Sequence, residues 1–324
     1  MKKTIFFGLA VTSLFLLSVL SPSIHAQNYP NKPINLVITQ APGDAADIIS
    51  RAVGAELSKI LGTPVIPVNK VGGGGTVGSD FVAKGKKDGY TILFTSSNIL
   101  YAHAMNPDEI PFNPIQDLDV LCSAASYPLV TTVKADSPWK SFQEFLEYMK
   151  QNPGKIRGGT VGVGTVGHFN VEIIHMETGG EMTMVPFKGA SPLLPALLGG
   201  HLETADLAIG MIASHIQSGT LRGLLTSKKI PEFPHIPTLT QLGYKRDKFS
   251  FWTAFFLPTG VPDNVKKVLA PALEKAIKSE DCVNVYRKAG ALEDYRPHDM
   301  MKRLTADEYE MARQFLKKKD QGVK

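Results

Sequence analysis

The stretch from residue 34 to residue 61 constrains this chain most. Ile34 to Gln40 (INLVITQ) reads as a buried strand, the chain breaks at Ala41-Pro42-Gly43, and IISRAVGAELSKIL continues as a helix through Leu61. The helix is expected to turn Ile48, Ile49, Ala52, Val53, Leu57, Ile60 and Leu61 toward a core. A joint of this kind delivers the chain to the rim of an α/β sheet. There the next helix start presents unpaired N–H groups and the positive end of its dipole.

Strand and helix signals then alternate. Pro64 to Asn69 is a short strand that runs into the glycine run at 72–78, which opens a helix through Lys84. Tyr90 to Thr95 is a third strand, ending in Ser96-Ser97-Asn98. DVLCSAASYPLVTTV, near Val120 to Val133, is long and apolar enough to leave one sheet and enter another. A capping box, Ser141-x-x-Glu144, starts a helix that Asn152-Pro-Gly154 stops. Strand, glycine turn (Gly162 to Gly167) and helix (His168 to about Thr178) then repeat the opening arrangement. Further strand–helix units reach Thr226, and Pro231, Pro234 and Pro237 punctuate an irregular segment. FSFWTAFFL, Phe249 to Leu257, crosses back, and helices over 265–278 and 298–319 finish the chain.

This order predicts an α/β fold of two domains with mixed, mostly parallel sheets joined by a two-crossing hinge. One domain is discontinuous, 27–126 plus 252–324; the other is 127–251, and a ligand cleft falls between them.

The first 26 residues place Lys2 and Lys3 before an apolar run and a small residue at Ala26, the pattern of a cleavable secretory signal. Removing them leaves 33 Lys and Arg against 30 Asp and Glu, a mild excess rather than a nucleic-acid footprint; Lys317-Lys318-Lys319 is the one dense basic cluster. Two cysteines, Cys122 and Cys282, make no zinc spacing and leave pairing open. His168 and His175 are seven apart and lack a third ligand, so no metal is expected.

Catalytic and cofactor motifs fare poorly. The glycine run lacks the lysine of a phosphate-cradling loop. Its Gly73-x-Gly75-x-x-Gly78 match sits on the second strand–helix unit without the acidic partner of a dinucleotide site, so no cofactor is expected. Gly-x-Ser-x-Gly is absent, and Ser-x-x-Lys occurs only at Ser137 to Lys140, before a surface helix. An exported hydrolase using His168 with Thr165 stays open as the alternative. What remains is a set of loop ends, 40–44, 72–78, 96–98 and 162–168, whose small residues let backbone N–H groups approach an anion.

YPNKPINLVITQAPGDAAD, VNKVGGGGTVGSDFVAKGKKDGYTILFTSS, GTVGVGTVGHF, VPFKGASPLLPALLGGHLE, GTLRGLLTS and FLPTGVPDNV, in this order, resemble the substrate-binding proteins of tripartite tricarboxylate transporters, the Bug or TctC-like receptors. The resemblance implies a periplasmic binding protein, not an enzyme, that works as a monomer. It closes on a small carboxylate-containing metabolite and passes it to membrane transporter subunits; presentation to a sensor protein is a further reading.

Carried over residue by residue, the first ligand loop gives Gln40, Pro42, Gly43, Asp44, Ala45 and Asp47. Gln40 replaces the family's aromatic residue there, and Asp44 and Ala45 replace glycines. The second loop gives Gly164, Thr165, Val166, Gly167 and His168, with Thr165 for the family's serine. Ser96, Ser97, Lys188 and Asp206 complete the expected set. Asp44 either caps the helix or faces the ligand; in the latter case it disfavours a nearby ligand carboxylate and favours an ammonium or hydroxyl donor.

Overall fold

Eleven strands and ten helices, given in a computed structural model that describes residues 29–320, form two sheets. The signal-peptide expectation falls outside the described residues, as do the side chains of Lys317 to Lys319. From Lys32 onward the chain is one unit of internal contacts. No described helix is long and apolar enough to cross a membrane.

The first sheet has the order β11 (Leu292–Glu293), β4 (Leu118–Tyr127), β10 (Phe251–Pro258), β3 (Thr91–Ser96), β1 (Ile34–Ile38), β2 (Val65–Asn69). The second runs β7 (Thr183–Pro186), β6 (Arg157–Thr160), β8 (Thr204–Ala208), β5 (Leu129–Lys134), β9 (Leu221–Thr226). Both are mixed. β1 pairs in parallel with β2 and β3, and β6 with β7 and β8. The antiparallel ladders are those made by β10, β11 and β5. Pro128 alone separates β4 from β5, so the first passage between sheets is made in one residue; the return runs from β9 to β10 through residues 227–250.

Strand order also places the helices. β1 to β2 steps toward one edge and β2 to β3 steps back across β1, and right-handed crossovers then put α1 (Ala45–Leu61) and α2 (Thr76–Ala83) on opposite faces. α8 (Asp263–Ile277) and α9 (Glu280–Lys288) pack with α1; α3 (Asn98–Met105) packs with α2 and with α10 (His298–Asp320). With both faces covered, β1 is buried at four of its five positions. The second sheet carries α4 (Phe142–Gln151), α5 (Val166–Thr178), α6 (Ala190–Leu198) and α7 (Ile209–Gln217). One apolar core runs from Leu93 and Trp252 of the first sheet to Val133, Phe145 and Phe169 of the second, and a smaller one lies between α6, α7 and β8.

Local differences from the sequence reading have local causes. α1 begins at Ala45, and its buried stripe is Ala46, Asp47, Ile49, Ser50, Val53, Gly54 and Leu57, leaving Ile48 exposed. Hydrogen bonds that draw Asp47 inward set this phase. At α4 the capping box forms with a longer reach: Ser141 Oγ accepts from the Glu144 N–H at 3.2 Å, while the Glu144 carboxylate accepts from the Lys140 N–H at 2.7 Å. Cys122 and Cys282 are both buried and unpaired, and burial pushes both thiols up in pKa, so neither is poised as a thiolate.

Candidate functional site

Two loop clusters gather at the carboxyl ends of the parallel strands, where an open α/β sheet binds its ligands. In the first, Thr39 and Thr95 join β1 to β3 through their hydroxyls at 2.9 Å, and the glycine turn at 73–75 packs directly over both. Ser96 and Ser97 end β3 and are buried there, with the Ser97 N–H donated to the Trp252 carbonyl. The Ser97 hydroxyl and the Gln40 side-chain oxygen are buried without a hydrogen-bond partner among the described residues.

Asp47 organises the neighbouring loop. Its carboxylate accepts from Arg51 Nε at 3.0 Å, from Asn69 Nδ2 at 2.7 Å and from the Gly43 N–H at 2.9 Å. Asn69 also donates to the Gln40 carbonyl at 3.0 Å, which ties the end of β2 to the end of β1. Burial works against the charge on Asp47, but hydrogen bonds from Arg51, Asn69 and Gly43 outweigh it and hold its pKa below the usual carboxylate range. Pro42, Gly43 and Asp44 are thereby displayed at the surface, with Ala45 half-buried behind them. Asp44 is the N-cap residue of α1, but its side chain makes no capping hydrogen bond. Asp47→Ala should cost about 1–2 kcal/mol by leaving the part-buried Asn69 amide and the Gly43 N–H without their acceptor. Urea unfolding checks this, and amide exchange should speed up over 40–45; unchanged exchange there would show that the loop is held by other means.

The second cluster is built on β6 and α5. Backbone bonds from Phe187 N–H to the Thr160 carbonyl at 2.9 Å and from Gly189 N–H to the Val161 carbonyl at 3.3 Å bring Lys188 beside the loop before α5. Lys188 is exposed and has no ion-pair partner among the described residues. Thr165 caps α5 without a side-chain bond to it; its hydroxyl instead donates to the Gly162 carbonyl at 2.7 Å. His168 is buried, and its Nδ1 accepts the Gly164 N–H at 3.1 Å, so in the neutral ring the proton lies on Nε2, which faces Glu172 at 3.9 Å. Val166 and Gly167 form the buried first turn of α5.

α3 connects the clusters. Tyr101 meets Phe169 with ring centroids 5.0 Å apart, and Gly164 lies against the Met105 sulfur. Asp206 lies in the middle of β8, the strand paired with β6, where Lys248 forms an ion pair with it and Asn170 Nδ2 of α5 donates to it at 2.8 Å. Three groups escaped the sequence reading: the Arg51–Asn69 support of the first loop, Lys248, and Glu308, which accepts from Tyr101 Oη at 2.8 Å and Trp252 Nε1 at 3.0 Å. Only Arg51, four residues after Asp47 on one helix, was findable from spacing.

Two mixed sheets linked by two crossings, with loop clusters at their carboxyl ends, define the class of periplasmic solute-binding proteins. The chain belongs to the tripartite tricarboxylate transporter receptor family, whose description matches residues 49–320. It is 30% identical over 304 residues to the protein BugT of Bordetella pertussis, covering 93% of each chain. A TctC solute-binding protein from Polaromonas, solved without ligand, superposes with a TM-score of 0.82 at 25% identity, over 90% of this chain and 99% of that one. Rpa4515 of R. palustris, solved with adipate, gives 0.70 at 25% identity over 91% and 99%.

Proposed function

We propose that this chain is a two-lobed periplasmic receptor that captures a small carboxylate-containing metabolite and delivers it to membrane transporter subunits, acting as a monomer and without catalysis. One lobe comprises 27–126 and 252–324, the other 127–251. The observation that carries the reading is that α3, which follows directly on Ser96-Ser97, touches the α5 start through Tyr101 against Phe169 and Met105 against Gly164, while Lys188 is held beside the same loop. Helix-start N–H groups and an unpaired ammonium suit a carboxylate. Asp44, Gln40 and the Ser97 hydroxyl on the facing lobe suit a ligand with a hydroxyl or ammonium at its other end. Domain closure over such a ligand excludes water and strengthens each of these contacts. Binding rather than nucleophilic catalysis is favoured by the hydrogen bonds at this loop, where the Thr165 hydroxyl donates to the Gly162 carbonyl and His168 Nδ1 accepts the Gly164 N–H.

A thermal-shift screen with adipate, malate, aspartate and related acids tests the reading. A ligand at 100 times its Kd should add about 2.7 kcal/mol to stability. Lys188→Ala should weaken that ligand while leaving the unliganded melting point unchanged. No stabilisation by any carboxylate or amino acid would overturn it.

A further inference from the structure

The two sheets also touch on the side of the crossing strands away from α3 and α5. Register fixes that geometry. Along one end of the first sheet, Leu292 of β11 lies opposite Ser126 of β4, Tyr127 opposite Phe251 of β10, Thr253 opposite Ser96 of β3, and Ile38 of β1 beside Phe94 and Asn69. The crossings leave from β4 and β10, so β11 lies on one side of them and the loops after β1 and β3 on the other. The helices repeat the division, since α9 covers one face of the sheet and α3 the other.

On the β11 side, Gly210 in the first turn of α7 meets Gly290, just after α9, backbone to backbone. A Cβ on Gly210 would stand 2.7 Å from both the Cα and the carbonyl oxygen of Gly290; one on Gly290 would stand 2.6 Å from the Gly210 Cα. Beside this contact lies a groove of about 290 Å³, lined by Ile209, Ala213, Phe233, Val283, Tyr286 and Leu292. Tight glycine contact with unfilled space next to it is what two surfaces need if they are to rock against each other without side chains locking them.

We propose that the α7–α9 contact is the counter-side of the hinge: the lobes part there as the ligand loops close. This rests on the two-lobed receptor reading. A side chain inserted at Gly210 acts as a wedge, driving α5 and Lys188 toward the 40–44 loop and populating the closed state before ligand arrives. Gly210 is the residue to change because its φ is not positive, so alanine suits α7 itself, and the nearest atoms its Cβ meets all belong to Gly290.

The test uses the full chain with nitroxide labels on Lys86→Cys and Gln151→Cys, both exposed and one in each lobe, while native Cys122 and Cys282 are buried. Without any ligand, Gly210→Ala should shift the label distance distribution from that of the parent. A ligand found in the screen should move the parent in the same direction and bind Gly210→Ala about tenfold tighter, as when the competent population rises from about a tenth to nearly all. Ala213→Leu, which fills the groove, should act likewise if Gly210→Ala does not fold. A parent that closes on ligand while both variants keep its unliganded distances overturns the counter-side proposal alone. A parent that binds ligand without any change in distance overturns the closing-receptor reading and the proposal with it.

Discussion

Lys248→Met should lower the unfolding free energy by about 3–5 kcal/mol. Lys248 is fully buried in the return segment, where its ammonium contacts Asp206 of β8 and donates to Thr131 Oγ1 of β5 at 2.7 Å. Asn170 of α5 completes the knot, donating to Asp206 and to the Phe249 carbonyl and accepting the Phe249 N–H at 2.7 Å. Burial pushes the Lys248 pKa down, with Asp206 pulling it back up. Methionine fills the same volume but leaves the Asp206 carboxylate buried beside Asn170 and Thr131 without a counter-charge. Asp206→Asn added to Lys248→Met should recover part of the loss, because it removes the stranded charge. Urea unfolding of the two variants decides the matter: a loss under about 1 kcal/mol for Lys248→Met would mean that Asp206 is satisfied without its ion pair.

Glu308→Gln should remove a pH dependence of stability that spans about pH 4.5 to 7. Glu308 is buried in α10 against Tyr101 and Trp252; desolvation raises its pKa to about 7, and the hydrogen bonds from Tyr101 and Trp252 resist the rise. Its folded pKa therefore lies above that of the unfolded chain, and the folded state holds the proton more tightly. The resulting stabilisation is complete below pH about 4.5 and is lost as pH rises through about 7, some 3 kcal/mol across the interval. Glutamine keeps the shape and both partners but carries no titration, so the variant should gain on the parent as pH rises from 5 to 8. Parallel stability curves for the two proteins over that range would show that Glu308 keeps an ordinary pKa.

Much of the fold was legible because its signals are local. The strand–turn–helix at 34–61, the capping box at Ser141 and the apolar passage at 120–133 each rest on neighbours in sequence, and all three appear in the structure. α3 was not legible: NILYAHAM is apolar nearly all round, with Ile99, Leu100, Tyr101, His103 and Ala104 buried, and so shows no stripe. α9 was missed for its brevity, nine residues directly after α8. The loop residues that the family resemblance marks gather in two clusters; Asp206 touches the second through Asn170 of α5, and its ion-pair partner Lys248 lies 42 residues further along the chain.

By itself the sequence determined the kind of protein this is: alternating units that must form parallel βαβ layers, glycine joints at strand ends, and two apolar passages that divide the chain. Those follow from periodicity and turn chemistry, which act over a few residues. Tertiary structure alone decided how charge and space are spent. It drew Asp47 inward to hold a loop, joined Asp206 to Lys248, buried Glu308 between Tyr101 and Trp252, and set Gly210 against Gly290. Each of these depends on groups far apart in the chain meeting in a medium without water. There a carboxylate's role is fixed by which partner reaches it, and a glycine's by what presses against it.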